Sequence, residues 1–204
     1  MEMELKEQFD GIDIYLFDQL LKGTLSKDMR ILDAGCGSGR NLTYLLRSGY
    51  QVYAIDRSEA AIHEVQRLAE SIAPIWVKEQ ARVEAVEKMS FADASFDFII
   101  SSAVLHFADN ETHFDQMVDE LWRVLKPGGK LFARLASSIG MESSMQPLGD
   151  GQYLLPDGSR RFLVNEEKLL GMTAKLNGHL FEPLKTVIVA GKRCMTTWCL
   201  EKSG

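Results

Sequence analysis

The sequence predicts an α/β fold built on a mostly parallel sheet, and three observations predict it. Short apolar runs alternate with amphipathic helical stretches along most of the chain. A glycine-rich turn directly follows the first apolar run. The last two apolar runs, 184–189 and 194–200, are joined by a turn too short for a parallel pair, so they form an antiparallel hairpin. The 204 residues, 46% of them apolar, suit one hydrophobic core, and we expect 1–204 to fold as a single domain.

The predicted strands are short apolar runs bounded by turn residues. The run FDFIIS is apolar almost throughout, which is typical of a strand covered on both faces. The residues Lys126–Gly129, KPGG, form a turn that ends a helix and leads into the fifth strand. In chain order the predicted strands are 30–34, 51–55, 82–86, 96–101, 130–135, 184–189 and 194–200.

Helical periodicity connects these strands, with apolar residues recurring every three or four positions. Ser58 stands at the N-cap position of one such helix. The predicted helices are 12–22, 41–48, 59–71, 111–125 and 166–176. We expect residues 1–25 to form an N-terminal helical cap. Between 137 and 164 the repeated glycines and prolines and the lack of a helical period indicate an irregular insertion, with a small hairpin in LLPDGSRRFLV.

Charge and composition exclude several classes of partner. The net charge is −6 and no Lys/Arg cluster exceeds a pair, so we predict no nucleic-acid partner. The acidic first ten residues and the absence of an apolar run of membrane length predict neither a secretory signal nor a membrane partner. The odd cysteine count favours packing over disulfides and predicts a cytoplasmic location.

The glycine-rich turn is the strongest local signal. In ILDAGCGSGR, residues 31–40, it lies between a strand and a helix, where an open α/β sheet binds its ligands. Glycines let a ligand approach the main chain, and the helix start favours an anionic group. A dinucleotide-binding site has the motif G-x-G-x-x-G, but this chain has Arg40 at the position of the third glycine. A tight turn without a ligand is the alternative.

The G-x-G-x-G spacing, with Asp33 two residues before it, resembles motif I of class I S-adenosylmethionine-dependent methyltransferases. Three further segments resemble that family in the same order: Asp56 at the end of the second strand, the stretch 86–101, and LWRVLKPGGKL at 121–131. The resemblance covers residues 30 to 135. It implies a Rossmann-like seven-stranded sheet of order 3-2-1-4-5-7-6, with the last strand antiparallel and helices on both faces.

The resemblance also implies a cofactor site for S-adenosylmethionine, with S-adenosylhomocysteine as the product. Asp33 and the main chain of Gly35 and Gly37 would meet the methionine end, or Asp33 would only brace the loop. Asp56 would hold the ribose. The residues it assigns to the cofactor are Tyr15, Asp33, Gly35, Cys36, Gly37, Asn41, Asp56, Arg57, Val86, Glu87, Ser101 and Ser102.

Two of these assignments have competing interpretations. Tyr15 belongs to an amphipathic stripe, which favours core packing over a cofactor role. At the adenine end many members carry an acid where this chain has Ala85, which leaves Val86 and its neighbours Glu84 and Glu87 as candidates.

His106 is the candidate catalytic residue. It follows the fourth strand in a segment that faces the acceptor in the family, and histidine can take a proton near neutral pH. Packing alone is the alternative. His106, Asp109 and His113 do not form a closed ligand set, so no metal is predicted. Arg134, Arg160 and Arg161 are candidates for binding an anionic acceptor, although the last two also suit a solvated hairpin.

The predicted function is transfer of a methyl group from S-adenosylmethionine to a small molecule. A sulfonium is already a strong electrophile, so positioning in a dry site can supply most of the acceleration. The alternatives are an NAD-dependent oxidoreductase, which Arg40 disfavours, and a nucleotide-binding protein without catalysis. A monomer or a homodimer is expected.

Overall fold

Strands that run side by side through the middle of the molecule form the sheet that the sequence predicts. The computed structural model describes residues 4–9 and 11–204. The strands are β1 (Arg30–Ala34), β2 (Gln51–Asp56), β3 (Ala81–Val83), β4 (Phe96–Ser102), β5 (Leu125–Ala136), β6 (Gln146–Gly149), β7 (Gln152–Leu154), β8 (Arg160–Phe162), β9 (Gly178–Leu180), β10 (Lys185–Val189) and β11 (Arg193–Lys202). The helices are α1 (Leu5–Phe9), α2 (Ile14–Leu21), α3 (Thr43–Arg47), α4 (Glu59–Ile72), α5 (Glu111–Val124) and α6 (Glu166–Lys175).

The main sheet has the order β3-β2-β1-β4-β5-β11-β10. The first five strands in this order pair in parallel, whereas β11 is antiparallel to both β5 and β10. Because β10 and β11 are the predicted sixth and seventh strands, the predicted order 3-2-1-4-5-7-6 is confirmed. A right-handed crossover between parallel strands requires the helices to lie on the faces of such a sheet.

The two faces of the sheet bury separate hydrophobic clusters. Ile31 and Leu32 are neighbours on β1, and because side chains alternate along a strand they enter different clusters. The Leu32 cluster includes residues of α5 and α6, and the Ile31 cluster includes residues of α2, α3 and α4. Helices therefore cover both faces, as predicted.

Four details differ from the sequence prediction. The third strand ends at Val83, because the chain turns at 85–88, where the Lys88 N–H donates to the Ala85 carbonyl. The strand β9 is additional and pairs with the end of β11; its three residues are too few to show a pattern. Residues 126–129, predicted as a turn, belong to β5, with an irregular register against β4. Helix ends also move by one or two residues, as fraying ends commonly do.

The segment 137–164, predicted to be irregular, contains a small antiparallel sheet of order β6-β7-β8. The hairpin predicted within it is confirmed as β7 and β8. Residues 149–151 turn the chain between β6 and β7 with three successive positive φ angles, +96°, +51° and +75°. The three strands have only three or four residues each, too few to show a periodicity, so the sequence predicts the hairpin but not the additional strand β6.

The segment 1–25, predicted as an N-terminal helical cap, contains α1 and α2, while residues 1–3 and 10 lie outside the described residues. In the described part of the chain, no helix has the length and apolar character needed to cross a bilayer. Within the same residues, no group of three or more His, Cys, Asp or Glu side chains is placed to hold a metal ion.

Candidate functional site

A cavity of about 390 Å³ lies beyond the carboxyl ends of β1, β2 and β4. We call it the first cavity. Its wall is formed by most of the loop 35–41, by 56–57, 85–87 and 102–104, and by Phe107, His113 and Met117. The strand order changes direction beside β1, and an open α/β sheet binds its ligands at such a point. All residues assigned to the cofactor above line it, except Tyr15, Asp33 and Ser101.

Glycine occupies three positions of the loop for different structural reasons. Gly35 and Gly39 have φ angles of +82° and +86°, and a Cβ atom at Gly35 would lie 2.5 Å from Val104 Cγ2. A Cβ atom at Gly39 would crowd Val65 at 3.2 Å. Gly37 also has a positive φ, +52°, but a Cβ atom there would meet nothing within 4 Å. Packing therefore requires the outer two glycines, whereas the space over Gly37 is left to the cavity.

Asp56 joins the end of β2 to the glycine loop. Its Oδ2 accepts a hydrogen bond of 2.9 Å from the Gly37 N–H, and its Oδ1 accepts one of 2.9 Å from the Ser58 N–H. The N–H groups of Gly35 and Cys36 both donate to the Ile55 carbonyl. A carboxylate has about four lone-pair sites, so Asp56 retains acceptor capacity toward the cavity.

Asp33 is buried directly behind this loop. It is 1% exposed, and neither carboxylate oxygen has a hydrogen-bond partner among the described residues. Burial raises the pKa of Asp33 to about 7, against a smaller lowering by the Arg40 charge. A buried carboxylate without a partner is costly, so a positive charge brought to this end of β1 would be stabilised.

Asp13, which the sequence analysis did not single out, holds the N-terminal segment against the site. It is 2% exposed, and its Oδ2 accepts hydrogen bonds of 3.0 Å from Ser102 Oγ and from Arg134 Nη1. Its N–H donates to Asn41 Oδ1 at 2.9 Å. The Arg134 guanidinium is thereby committed to a structural pair and is not free to bind an acceptor.

The two remaining assigned residues outside the first cavity are structural in this conformation. The Tyr15 ring packs against the core with the Arg134 guanidinium 5.3 Å from its centroid, in line with its alternative interpretation. Ser101 is fully buried. Their cofactor roles remain predictions.

Helix α5 contributes two residues that were not assigned to the cofactor, His113 and Met117. His113 Nδ1 accepts a hydrogen bond of 3.1 Å from the Asp109 N–H, and its Nε2 lies 3.5 Å from Glu87 Oε2. On the sequence alone, Met117 belongs to the apolar stripe of a helix, so nothing there indicates that it reaches a cavity. Ala103, also in the wall, has a φ of +64°, an unusual value for a residue with a side chain and one that tends to occur at functional sites.

His106 lies outside the first cavity, at a neighbouring one of about 420 Å³ that we call the second cavity. The second cavity is lined by Arg57, His106, Phe107, Ala108, Asp109, Gln152 and Arg160, and it shares Arg57 and Phe107 with the first. The Ala136 N–H donates to His106 Nδ1 at 3.2 Å. Burial, with the charges of Arg161, Arg134 and Arg193, lowers the pKa of His106 to about 4. The neutral ring therefore carries its proton on Nε2 and is a donor there. Its catalytic role remains a prediction.

An open sheet with a glycine loop after β1 and an acid at the end of β2 defines a nucleotide-binding α/β protein. The family can be stated more closely: the sequence model of the methyltransferase domain family matches residues 32–133, half of the chain, and the chain belongs to that family. The resemblance to class I S-adenosylmethionine-dependent methyltransferases is thereby confirmed.

Individual relatives agree with this assignment. The chain is 37% identical over 109 residues to a malonyl-[acyl-carrier protein] O-methyltransferase of Enterobacter lignolyticus, covering 53% of this chain and 39% of the relative. It is 30% identical over 169 residues to a ubiquinone biosynthesis O-methyltransferase of Methylocella silvestris, covering 77% and 63%. A solved SAM-dependent methyltransferase of Methanosarcina mazei is 25% identical with a TM-score of 0.71, over 90% of this chain and 97% of that one. The chain thus spans less than two thirds of the length of these two curated relatives.

Proposed function

We propose that this protein transfers a methyl group from S-adenosylmethionine to a small-molecule acceptor. The observation that carries the proposal is the pair of features at the glycine loop: open space over Gly37 and the unpartnered carboxylate of Asp33 behind it. An adenosyl amino acid offers what these features lack, a flat nucleoside to lie against bare main chain and an ammonium to sit near a buried negative charge. Family membership supports the same cofactor.

The residues of the first cavity fit such a cofactor end to end. The remaining lone pairs of Asp56 suit two ribose hydroxyls. Glu87, with its carboxylate near His113, supplies an acceptor for an exocyclic amino group, which Ala85 cannot supply. Cys36 contributes volume rather than reactivity, because burial raises the pKa of its thiol far above the usual range.

S-adenosylmethionine would supply a methyl group on a positively charged sulfur, which an acceptor lone pair can displace with the C–S electron pair going to sulfur, and S-adenosylhomocysteine would be the product. The chain contributes position and exclusion of water. Val104 closes one side of the loop, and Phe107 lines both cavities. An acceptor that enters the site already ionised has no proton to lose, so its methylation requires no base.

We propose that His106 meets the acceptor in the second cavity. With Nδ1 engaged by the Ala136 N–H, the role that the geometry supports is orientation of an acceptor oxygen through Nε2–H. The variant His106→Ala should lower kcat and leave cofactor affinity unchanged. A base would impose the pKa of about 4 on the pH–rate profile, whereas a donor would not.

The acceptor differs among relatives, one named for malonyl-[acyl-carrier protein] and another for ubiquinone biosynthesis, so their names do not select one here. We propose a small molecule because the second cavity is of ligand size and the chain is acidic. The absence of a nucleic-acid partner and the monomeric or dimeric state stay predictions.

Calorimetry with S-adenosylmethionine, S-adenosylhomocysteine and NAD tests the cofactor. We expect the two adenosyl compounds to bind and NAD to fail, because Arg40 occupies the position of the third dinucleotide glycine. Binding of NAD alone would overturn the proposal. Release of S-adenosylhomocysteine with a panel of acids, phenols, amines and thiols then separates an enzyme from a protein that only binds the cofactor.

A further inference from the structure

The second cavity is distinguished by its positive charge. Arg57 and Arg160 line it, and the Arg161 guanidinium carbon lies 4.9 Å from the ring centroid of Phe107, which is also in its wall. Across the described residues, the arginines that form ion pairs with carboxylates are Arg40, Arg82, Arg123 and Arg134. The three arginines at this cavity are not among them. Their charge is therefore available to a ligand.

The nearby carboxylates do not neutralise this charge. Asp109 lines the cavity, but its side chain is 84% exposed and its Oδ2 lies 3.2 Å from His113 Nδ1. The pKa of Asp157 is lowered chiefly by hydrogen bonds from the hydroxyl and the N–H of Ser159 to its Oδ1, and only to a smaller extent by the charge of Arg161. The net charge around the second cavity is therefore positive.

Arg160 is held in place by a buried amide. Gln152 is 6% exposed, and its Nε2 donates to the Ala108 carbonyl at 2.6 Å. Its Oε1 is thereby turned toward Arg160, whose Nε donates to it at 3.1 Å. This contact uses one edge of the guanidinium and leaves the two terminal nitrogens for a planar anion. If Arg160 served only to keep the surface of the hairpin hydrated, its side chain would not need a buried amide to orient it.

We infer that the second cavity binds the carboxylate of the methyl acceptor, with Arg160 as the main contact and Gln152 as its positioning residue. Phe107, 48% exposed and shared with the first cavity, offers an apolar surface to the body of the acceptor between the carboxylate and the cofactor. The acceptor class is thus a small organic acid with an apolar body. This inference rests on the proposed function, since it takes the first cavity to hold the cofactor.

Matched acids and amides test the inference on the full chain. Benzoate and benzamide, phenylacetate and phenylacetamide, and hexanoate and hexanamide are titrated by NMR, with and without saturating S-adenosylhomocysteine. We expect at least one acid to bind about tenfold more tightly than its amide, because a guanidinium–carboxylate contact has no equivalent with a neutral amide. Equal binding of every acid and its amide would overturn the inference.

Variants locate the contact. Arg160→Gln should remove the preference for the acid, weakening its binding about tenfold, and Arg160→Lys should recover only part of it because the planar fork is lost. Arg67→Gln is the matched control, because it removes the same charge. Arg67 is an exposed residue of α4 and lies outside both cavities. Equal losses in Arg160→Gln and Arg67→Gln would mean a general charge effect and would refute the assignment.

The two proposals fail separately. If S-adenosylhomocysteine does not bind, the proposed function fails, whatever the acids do. If S-adenosylhomocysteine binds with the same affinity to wild type and Arg160→Gln while no acid is preferred over its amide, only the acceptor inference fails. Retained cofactor affinity in Arg160→Gln together with a lost acid preference supports both.

Discussion

The Gly37 N–H donates a hydrogen bond of 2.9 Å to Oδ2 of Asp56, nineteen residues further along the chain. This bond sets the centre of the glycine loop against the end of β2, so the residue with open space above it and the acid proposed to hold the ribose form one unit. A change at either residue should therefore alter cofactor binding before it alters the fold.

Asp56→Asn tests the acid. An amide oxygen can accept from the Gly37 or the Ser58 N–H, but its NH₂ group would face the other donor. Hydrogen bonds to charged groups contribute about 1.5–3 kcal/mol, so we expect affinity for S-adenosylmethionine to fall about tenfold or more in calorimetry. Glu64→Gln, an exposed change on α4 with the same loss of charge, is the control. Unchanged affinity in Asp56→Asn would refute the ribose assignment.

Gly37→Ala tests the open face, with Gly23→Ala as its match. Both glycines have positive φ, +52° and +69°, and a Cβ atom at either would meet nothing within 4 Å. Each variant should lose about 1–2 kcal/mol in the free energy of unfolding, because alanine is strained in the left-handed region. Only Gly37→Ala should lose cofactor binding. Equal cofactor affinity in the two variants would show that the space over Gly37 is not used.

Asp33→Asn should raise stability and lower cofactor affinity. Burial raises the pKa of Asp33 from 3.8 to about 7, so the folded state binds more protons than the unfolded state between these values, and stability is lost as the pH rises through them. The asparagine side chain does not ionise, so Asp33→Asn has no buried charge to stabilise. Its gain over wild type in the free energy of unfolding should therefore be larger at pH 8 than at about pH 4.

Denaturant titrations across that range, paired with calorimetry, measure both effects of Asp33→Asn. A stability gain that does not change with pH would contradict the buried carboxylate. Unchanged affinity for S-adenosylmethionine would leave Asp33 as a brace for the loop and remove its role toward the ammonium.

His106→Asn should flatten the acid side of the stability profile. The pKa of His106 is lowered from 6.5 to about 4, so the unfolded state binds more protons between these values, and stability is lost as the pH falls through them. Asparagine offers an acceptor oxygen to the Ala136 N–H and does not titrate. Urea titrations from about pH 7 to 4 would show a smaller slope in the variant, with exposed His63→Asn for comparison. Parallel slopes in wild type and His106→Asn would contradict this prediction.

Asp13→Ala should be strongly destabilising, because it leaves the Arg134 guanidinium without its buried partner. Breaking a buried pair costs about 3–5 kcal/mol. Asp18→Ala removes the solvent-exposed ion pairs of Asp18 with Lys22 and Lys185 and should cost about 1 kcal/mol or less. Thermal and urea unfolding compare the two. Similar losses in the free energy of unfolding in the two variants would mean that Asp13 stabilises the fold no more than an exposed ion pair does.

Local patterns were sufficient for the sheet and for most of the first cavity. Apolar runs, a glycine turn and an acid at a strand end depend on near neighbours in the chain, and a parallel sheet then brings strand ends to one edge. The strand order followed from the family resemblance, and most of the residues that it assigns to the cofactor, including Gly37 and Asp56, line the first cavity.

Contacts between residues that lie far apart in the chain could not be predicted from local sequence patterns. Asp13 meets Ser102 and Arg134 across the fold, and nothing in the segment around Asp13 indicates these contacts. The same holds for His113, which reaches the first cavity only because α5 packs beside β4. His106, by contrast, was noticed in the sequence but lies at the second cavity.

The sequence by itself determined the class of fold and the place where a nucleotide would lie, because these depend on periodicity and on the backbone freedom of a few glycines. The order of the strands followed from the resemblance of its motifs to a known family. Only the tertiary structure decided which charges are buried, which are paired and which face a cavity. Arg134 and Arg160 are alike as sequence candidates for an anion, yet Asp13 neutralises the first and Gln152 orients the second. The reason is physical: the effect of a charge depends on the groups around it in space, and folding brings those groups from far along the chain.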